Sequence, residues 1–71
     1  MKKISGYVKK NYSAGISIYF WKNKIPINSS VFDSKNNEYI ITSYSNGGYI
    51  NCLNTKTKEI NQFSPNLLFI K

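Results

Sequence analysis

The chain has no histidine, no arginine, a single cysteine and three acids, Asp33, Glu38 and Glu59, among 71 residues. Each shortage excludes something. Without His, the usual zinc ligand sets cannot be assembled. General acid–base catalysis draws on His or on a carboxylate of tuned pKa, and three scattered acids leave little to work with. Cys52 alone cannot form an intrachain disulfide, and without a His to activate it, it reads as a small buried hydrophobe rather than a nucleophile. Arg would supply the planar fork that reads guanine edges bidentately; an all-Lys chain supplies point charges instead. No apolar run approaches the ~20 residues of a membrane-spanning helix. The opening "MKKISGYVKK" starts like a signal peptide, but no apolar stretch follows Lys3. The sequons at Asn11 and Asn28 therefore carry no weight, and the chain is expected to be cytoplasmic, with Cys52 reduced and with no cofactor, metal or membrane partner. An enzyme is not expected.

What remains is basic and aromatic. Ten lysines against three acids give a net charge of +7, and 15% of the residues are aromatic. A basic chain is drawn to polyanions: nucleic acid, or an acidic protein surface. The same lysines also solubilise a β protein with exposed edges. Lys, Asn, Ile and Tyr dominate, all with A/T-rich codons, which points to an AT-rich genome such as that of a low-GC bacterium or its phage. Such a genome favours Lys over Arg whatever the function. Length allows one domain, 1–71, whose stability rests on its rings because no staple is present.

Sustained helical periodicity is absent, β-branched and aromatic residues are spread throughout, and turn signals recur at short intervals. The expected fold is all-β: a small antiparallel barrel or barrel-like sandwich of five to seven short strands. A first strand is expected over residues 4–9, a loop over 10–15, and a second strand to about residue 22. Pro26 makes the next stretch irregular. A short strand over 30–33 and the "SKNN" turn lead into a strand of "EYIITSYS". Asn46-Gly47 is the strongest hairpin signal, since both central residues of a type I′ turn take φ > 0. A two-residue loop there pairs Tyr44 with Tyr49 and Ile41 with Cys52, with Gly48 placed to add a bulge. "TKTK" makes another turn, "EINQF" a strand, and Ser64-Pro65 a break before "NLLFIK", a last short strand or a one-turn 3₁₀ segment plus strand. The expected core is Ile16, Ile18, Phe20, Tyr39, Ile41, Ile50, Cys52, Phe63 and Leu68.

The closing "NGGYINCLNTKTKEINQFSPNLLFIK" resembles the second half of Src-homology-3-like small β-barrels of the KOW and Tudor type. A Gly-containing turn precedes a strand, a second hairpin follows, and an aromatic (Phe63) with a Ser-Pro turn leads into a terminal apolar strand. The likeness covers residues 38–71; "KNKIPINSSVFD" has no counterpart in it. The resemblance implies a binding module, often for RNA, DNA or a peptide.

One constellation could carry function. In "GISIYFWKNK", strand alternation sends Ile16, Ile18 and Phe20 to one side and Tyr19 and Trp21 to the other. Lys22 and Lys24 follow. Lys9 and Lys10 end the first strand, and Tyr44 and Tyr49 flank the Asn-Gly turn. Gathered on one surface, these eight residues form stacking rings bordered by cations, an arrangement that holds nucleic acid without sequence preference. Alternatively, Tyr19, Trp21 and Tyr44 cover a second small core. The same patch also suits a phage- or mobile-element-encoded interaction protein that inhibits a host or defence protein by docking on it, because Trp and Tyr are enriched at such interfaces. Asp33 and Glu38 flank a turn and read as polar hairpin ends.

Overall fold

A computed structural model describes residues 2–4, 6–11, 17–22, 24–45 and 47–70, with the backbone alone for 17–20. Among the described residues, the regular structure is antiparallel β, with one 3₁₀ turn at Pro65–Leu67. The strands are β1 (Lys2–Lys3), β2 (Tyr7–Asn11), β3 (Ser17–Trp21), β4 (Ser30–Phe32), β5 (Glu38–Tyr44), β6 (Ile50–Asn54), β7 (Ile60–Phe63) and β8 (Phe69–Ile70). Six of these are three residues or longer, within the expected range; the two-residue β1 and β8 are additional. They form a six-stranded sheet, β1-β8-β4-β5-β6-β7, and a separate two-stranded ribbon, β2-β3. The large sheet is open, with β1 and β7 as its edges among the described residues. No helix of the described residues is long and apolar enough to cross a membrane.

The sheet buries one face. Val31, Ile41, Ile50, Cys52 and Leu68 are fully buried, with Ile4 and Tyr39 nearly so. Fully burying an aliphatic side chain of this size is worth about 1.5–3 kcal/mol. Pro65 closes one end of the cluster, and the Phe63 ring packs edge-to-face on Tyr39 with centroids 4.8 Å apart. Tyr39, Ile41, Ile50, Cys52 and Leu68 are thus in the core as expected, and Phe63 lies half-buried against it. Ile4 and Val31 join them unforeseen. Ile16, and the side chains of Ile18 and Phe20, lie outside the described residues, as do residues 12–15 of the expected loop.

Of the strand expected over residues 4–9, residues 7–9 are strand, in β2, while β1 precedes it at Lys2–Lys3. Gly6 has φ 88°, a left-handed conformation that favours glycine, and there the chain leaves the large sheet for the ribbon. Ile4 stays behind, donating its N–H to the Leu68 carbonyl (3.2 Å). β2 then runs on through Lys10 to Asn11.

The Asn-Gly hairpin differs from expectation in an instructive way. Its loop has three residues, 46–48: Ser45 N–H donates to Tyr49 C=O (2.9 Å), Gly48 N–H to Ser45 C=O (3.1 Å), and Gly48, not Gly47, takes positive φ (85°). Tyr44 therefore pairs with Ile50 rather than Tyr49. Ile41 nevertheless pairs with Cys52, because a bulge between Ile41 and Ser43 restores the register. The extra residue, Thr42, donates its hydroxyl to the Asn51 carbonyl (2.9 Å). Thr42 and Ser43 are both exposed, which is the burial signature of the phase shift. Without it, a one-residue change of register would turn either Ile41 or Tyr44 away from the core.

The same loop type recurs before β5. Asn36 N–H donates to Asp33 C=O (3.0 Å), Asp33 N–H to Asn37 C=O (3.1 Å), and Asn36 takes φ 67° where the other loop has Gly48. Asp33 and Ser45 each accept the N–H four residues on, through Oδ1 (2.9 Å) and Oγ (3.1 Å). Both loops close on a left-handed residue at their third position, as three-residue hairpins usually do.

Candidate functional site

The ribbon carries the sequence-derived site. Its register sets Tyr7 opposite Trp21, Val8 opposite Phe20, Lys9 opposite Tyr19 and Lys10 opposite Ile18. Below the Tyr7–Trp21 pair, Lys22 N–H donates to Gly6 C=O (2.6 Å) and closes the base. Burial falls along β2, from half-buried Tyr7 and Val8 to exposed Lys9, Lys10 and Asn11. The ribbon is therefore rooted at one end and wet at the other.

Trp21 is the root. Its ring is half-buried against the core, edge-to-face with Tyr44 (4.8 Å, 72°) and with Tyr7 (5.7 Å, 64°). Its Nε1–H donates to the Gly48 carbonyl (3.0 Å), so ribbon and hairpin loop are joined through one side chain. A buried indole usually finds such a partner, and this one is internal. Tyr44 is held as firmly: its hydroxyl donates to the Ile25 carbonyl (2.7 Å), and burial raises its pKa. Lys24 Nζ sits 5.4 Å from the Tyr44 ring centroid, within cation–π reach. Trp21, Lys24 and Tyr44 are thus brought together, with Lys22 exposed beside them. Tyr49 is half-buried across the loop and is not the partner of Tyr44. The side chain of Tyr19 lies outside the described residues. Of the two residues left between core and binding surface, Trp21 packs half-buried against the core.

The acids are elsewhere. Asp33 Oδ1 accepts the N–H groups of Lys35 and Asn37, and Oδ2 accepts Asn37 Nδ2–H and, at 3.3 Å, the Tyr39 hydroxyl. Partial burial pushes this carboxyl up, but the four hydrogen bonds outweigh it and hold the pKa below its ordinary value. Cys52 is buried, which pushes its thiol up to about 12, far from a thiolate at neutral pH.

A feature readable from the sequence, but not used there, is how the charges divide. Six of the ten lysines and none of the three acids fall in residues 1–32, so that stretch carries +6 of the net +7. The described part of the ribbon and its exit, with Lys9, Lys10, Lys22 and Lys24, hold no carboxylate.

Comparison with known protein families, curated proteins and solved structures finds no match for the chain. What it does has to be argued from the residues themselves.

Proposed function

We propose that the protein is a non-enzymatic module that binds nucleic acid through the lysines of the β2–β3 ribbon and its exit. The supporting observation is the division of charge. An AT-rich genome raises Lys everywhere, but it does not remove Asp and Glu from the half of the chain that forms the ribbon. Residues 1–32 carry six lysines and no acid, and four of the six, Lys9, Lys10, Lys22 and Lys24, stand on the ribbon and its exit, with Lys2 and Lys3 on β1 of the large sheet. A concentrated single-sign field attracts a polyanion and speeds its capture. Lysines neutralise phosphates without selecting bases, so the binding is non-specific and salt-sensitive. The internal bonds of Trp21 and Tyr44 make the aromatic cluster the rigid footing of this surface rather than its reading head. No chemical step is assigned: the Asp33 carboxylate is taken up by its turn, and Cys52 is sealed in the core.

The test is affinity for a labelled random oligonucleotide across a salt series. Four lysine–phosphate contacts on a duplex give a log–log slope of about −3.6, or roughly a 100-fold loss between 50 and 200 mM salt. Absence of binding at low salt would refute the proposal and turn attention to an acidic protein partner.

A further inference from the structure

We infer that the open edge of β7 is a dimer interface: β7 pairs antiparallel with β7 of a second copy, joining the two large sheets across a two-fold axis. This is independent of the nucleic-acid reading and uses none of its residues. The first observation is the direction of the backbone groups on that edge. Asn54 N–H donates to Glu59 C=O (2.8 Å), one step beyond the paired Leu53 and Ile60. Bonded and non-bonded pairs alternate along an antiparallel ladder. Asn61 and Phe63 therefore turn their backbone groups toward Cys52 and Ile50, while Ile60 and Gln62 turn theirs away from β6. β7 ends the large sheet among the described residues, so these N–H and C=O groups line an open edge. Ile60 is 58% exposed, and Gln62 is exposed as well.

The second observation is that this edge is unguarded. An open edge is a template for another strand, and proteins blunt it with lysine, proline, a bulge or a very short strand. The other edge, β1, has these devices: it is two residues long, and both are exposed lysines. β7 has none of them. Its sequence, INQF, holds no charge and no proline, and it follows β6 without a register shift. The chain has ten lysines and places none on this strand.

The third is that a second copy satisfies the edge without remainder. With Asn61 opposite Asn61 of the second copy, Ile60 faces its Gln62 and Gln62 faces its Ile60. Each of these two pairs exchanges two hydrogen bonds, so every outward N–H and C=O of both strands is used. Such a contact is self-complementary, as a two-fold interface requires. It brings no charged residue of β7 against another, and it covers Ile60 with the aliphatic stem of Gln62 of the second copy. At four residues a side, the interface belongs to the small, transient class.

The experiment is sedimentation velocity on the folded protein from about 10 μM to about 1 mM, the range in which so small an interface forms and dissociates. The expected result is monomer at the low end and a growing share of dimer toward the high end, unchanged by salt because no charge pair holds it. Gln62→Pro removes an outward donor without touching the ladder to β6, and Ile60→Lys guards the edge as lysines guard β1. Each, shown to be folded by circular dichroism, should weaken dimerisation at least about 10-fold; if Gln62→Pro does not fold, Ile60→Lys decides. The register is tested by Asn61→Cys. A non-bonded antiparallel pair has Cα atoms about 4.5 Å apart, within disulfide reach. Oxidised glutathione should therefore link Asn61→Cys into a covalent dimer at least about 10-fold faster than Lys35→Cys, a variant on the exposed β4–β5 turn. Cys52 is buried and takes no part. Monomer across the whole range, a dimer that dissolves as salt rises, a dimer indifferent to the folded edge variant, or equal cross-linking of the two cysteine variants would overturn the inference.

Discussion

The Asp33 carboxylate accepts four hydrogen bonds at the head of the β4–β5 turn, and its depressed pKa has a consequence for stability. A group whose folded pKa lies below its ordinary value of 3.8 contributes stability that is fully present above that value and is lost as pH falls through the folded one. Asp33→Asn keeps an acceptor for the backbone N–H groups but places a donor against Asn37 Nδ2 and the Tyr39 hydroxyl. At neutral pH it should cost about 1–2 kcal/mol, with ~4–8 °C of melting temperature per kcal/mol in a chain of this size. The gap between wild type and variant should narrow as pH falls below about 3.8; a gap independent of pH would contradict this. Lys58 presents the opposite case. Its φ of 63° puts a long side chain in the left-handed region, fixed there because its N–H donates to Asn54 C=O (2.8 Å) while Asn54 Oδ1 accepts the N–H groups of Lys56 and Thr57. Lys58→Gly relieves a strain of about 1–2 kcal/mol against a Gly entropy cost of about 0.5–1, so thermal melting should show a small net gain.

Among the elements, the hairpins were the part most legible in the sequence. Asp, Ser or Asn at the first position and Asn, Gly or Lys at the left-handed one are turn chemistry that can be read directly, and all three turns of the β4–β7 meander fall where "SKNN", "NGG" and "TKTK" put them. The length of the Asn-Gly loop was not legible. Two glycines in a row let either take positive φ, and the choice is made by register against β6 and by the Trp21 bond to Gly48 C=O. Substitution separates them. A Cβ on Gly47 would meet the Tyr49 ring at 3.4 Å, an ordinary contact, so Gly47→Ala should be nearly neutral. Gly48→Ala forces alanine to φ 85° and should cost about 1–2 kcal/mol by chemical denaturation. Equal effects would contradict the three-residue loop. The bulge at Thr42 was hidden because a lone Thr in "EYIITSYS" reads as ordinary alternation; only two successive exposed residues betray it. At the ribbon, the two-way reading of Trp21 could not be decided from spacing, since its partners come from β2 (Tyr7) and from the distant β5–β6 hairpin (Tyr44 and Gly48). Trp21→Phe removes the bond to Gly48 and should lower stability by about 1 kcal/mol. Because Trp21 is footing rather than reading head, affinity for nucleic acid should stay within about twofold of wild type in the folded variant. A tenfold loss would make Trp21 a direct contact.

On the scale of the whole molecule, four of the six lysines of residues 1–32 stand on the ribbon and its exit, while Lys2 and Lys3 stand on β1 at the edge of the large sheet. The all-β class followed from composition and turn spacing. The separation of a two-stranded arm from the main sheet did not, since it hangs on the backbone of Gly6 and on β1 joining β8 at the far end of the chain. Nor did spacing alone show that, of the candidate residues, Trp21, Tyr44 and Lys24 gather at the ribbon's footing while Lys9 and Lys10 stand along β2. The central claim is that the arm and its exit are the surface that meets nucleic acid. The most direct test is a titration of isotope-labelled protein with a short DNA duplex, followed residue by residue in amide NMR spectra. The expected result is that shifts concentrate at Lys9, Lys10, Asn11, Lys22 and Lys24, while Asp33, Glu38, Lys56 and Ile60 stay unmoved and the changes fade with added salt. Shifts centred on the β4–β7 sheet, or none at low salt with DNA in excess, would contradict it.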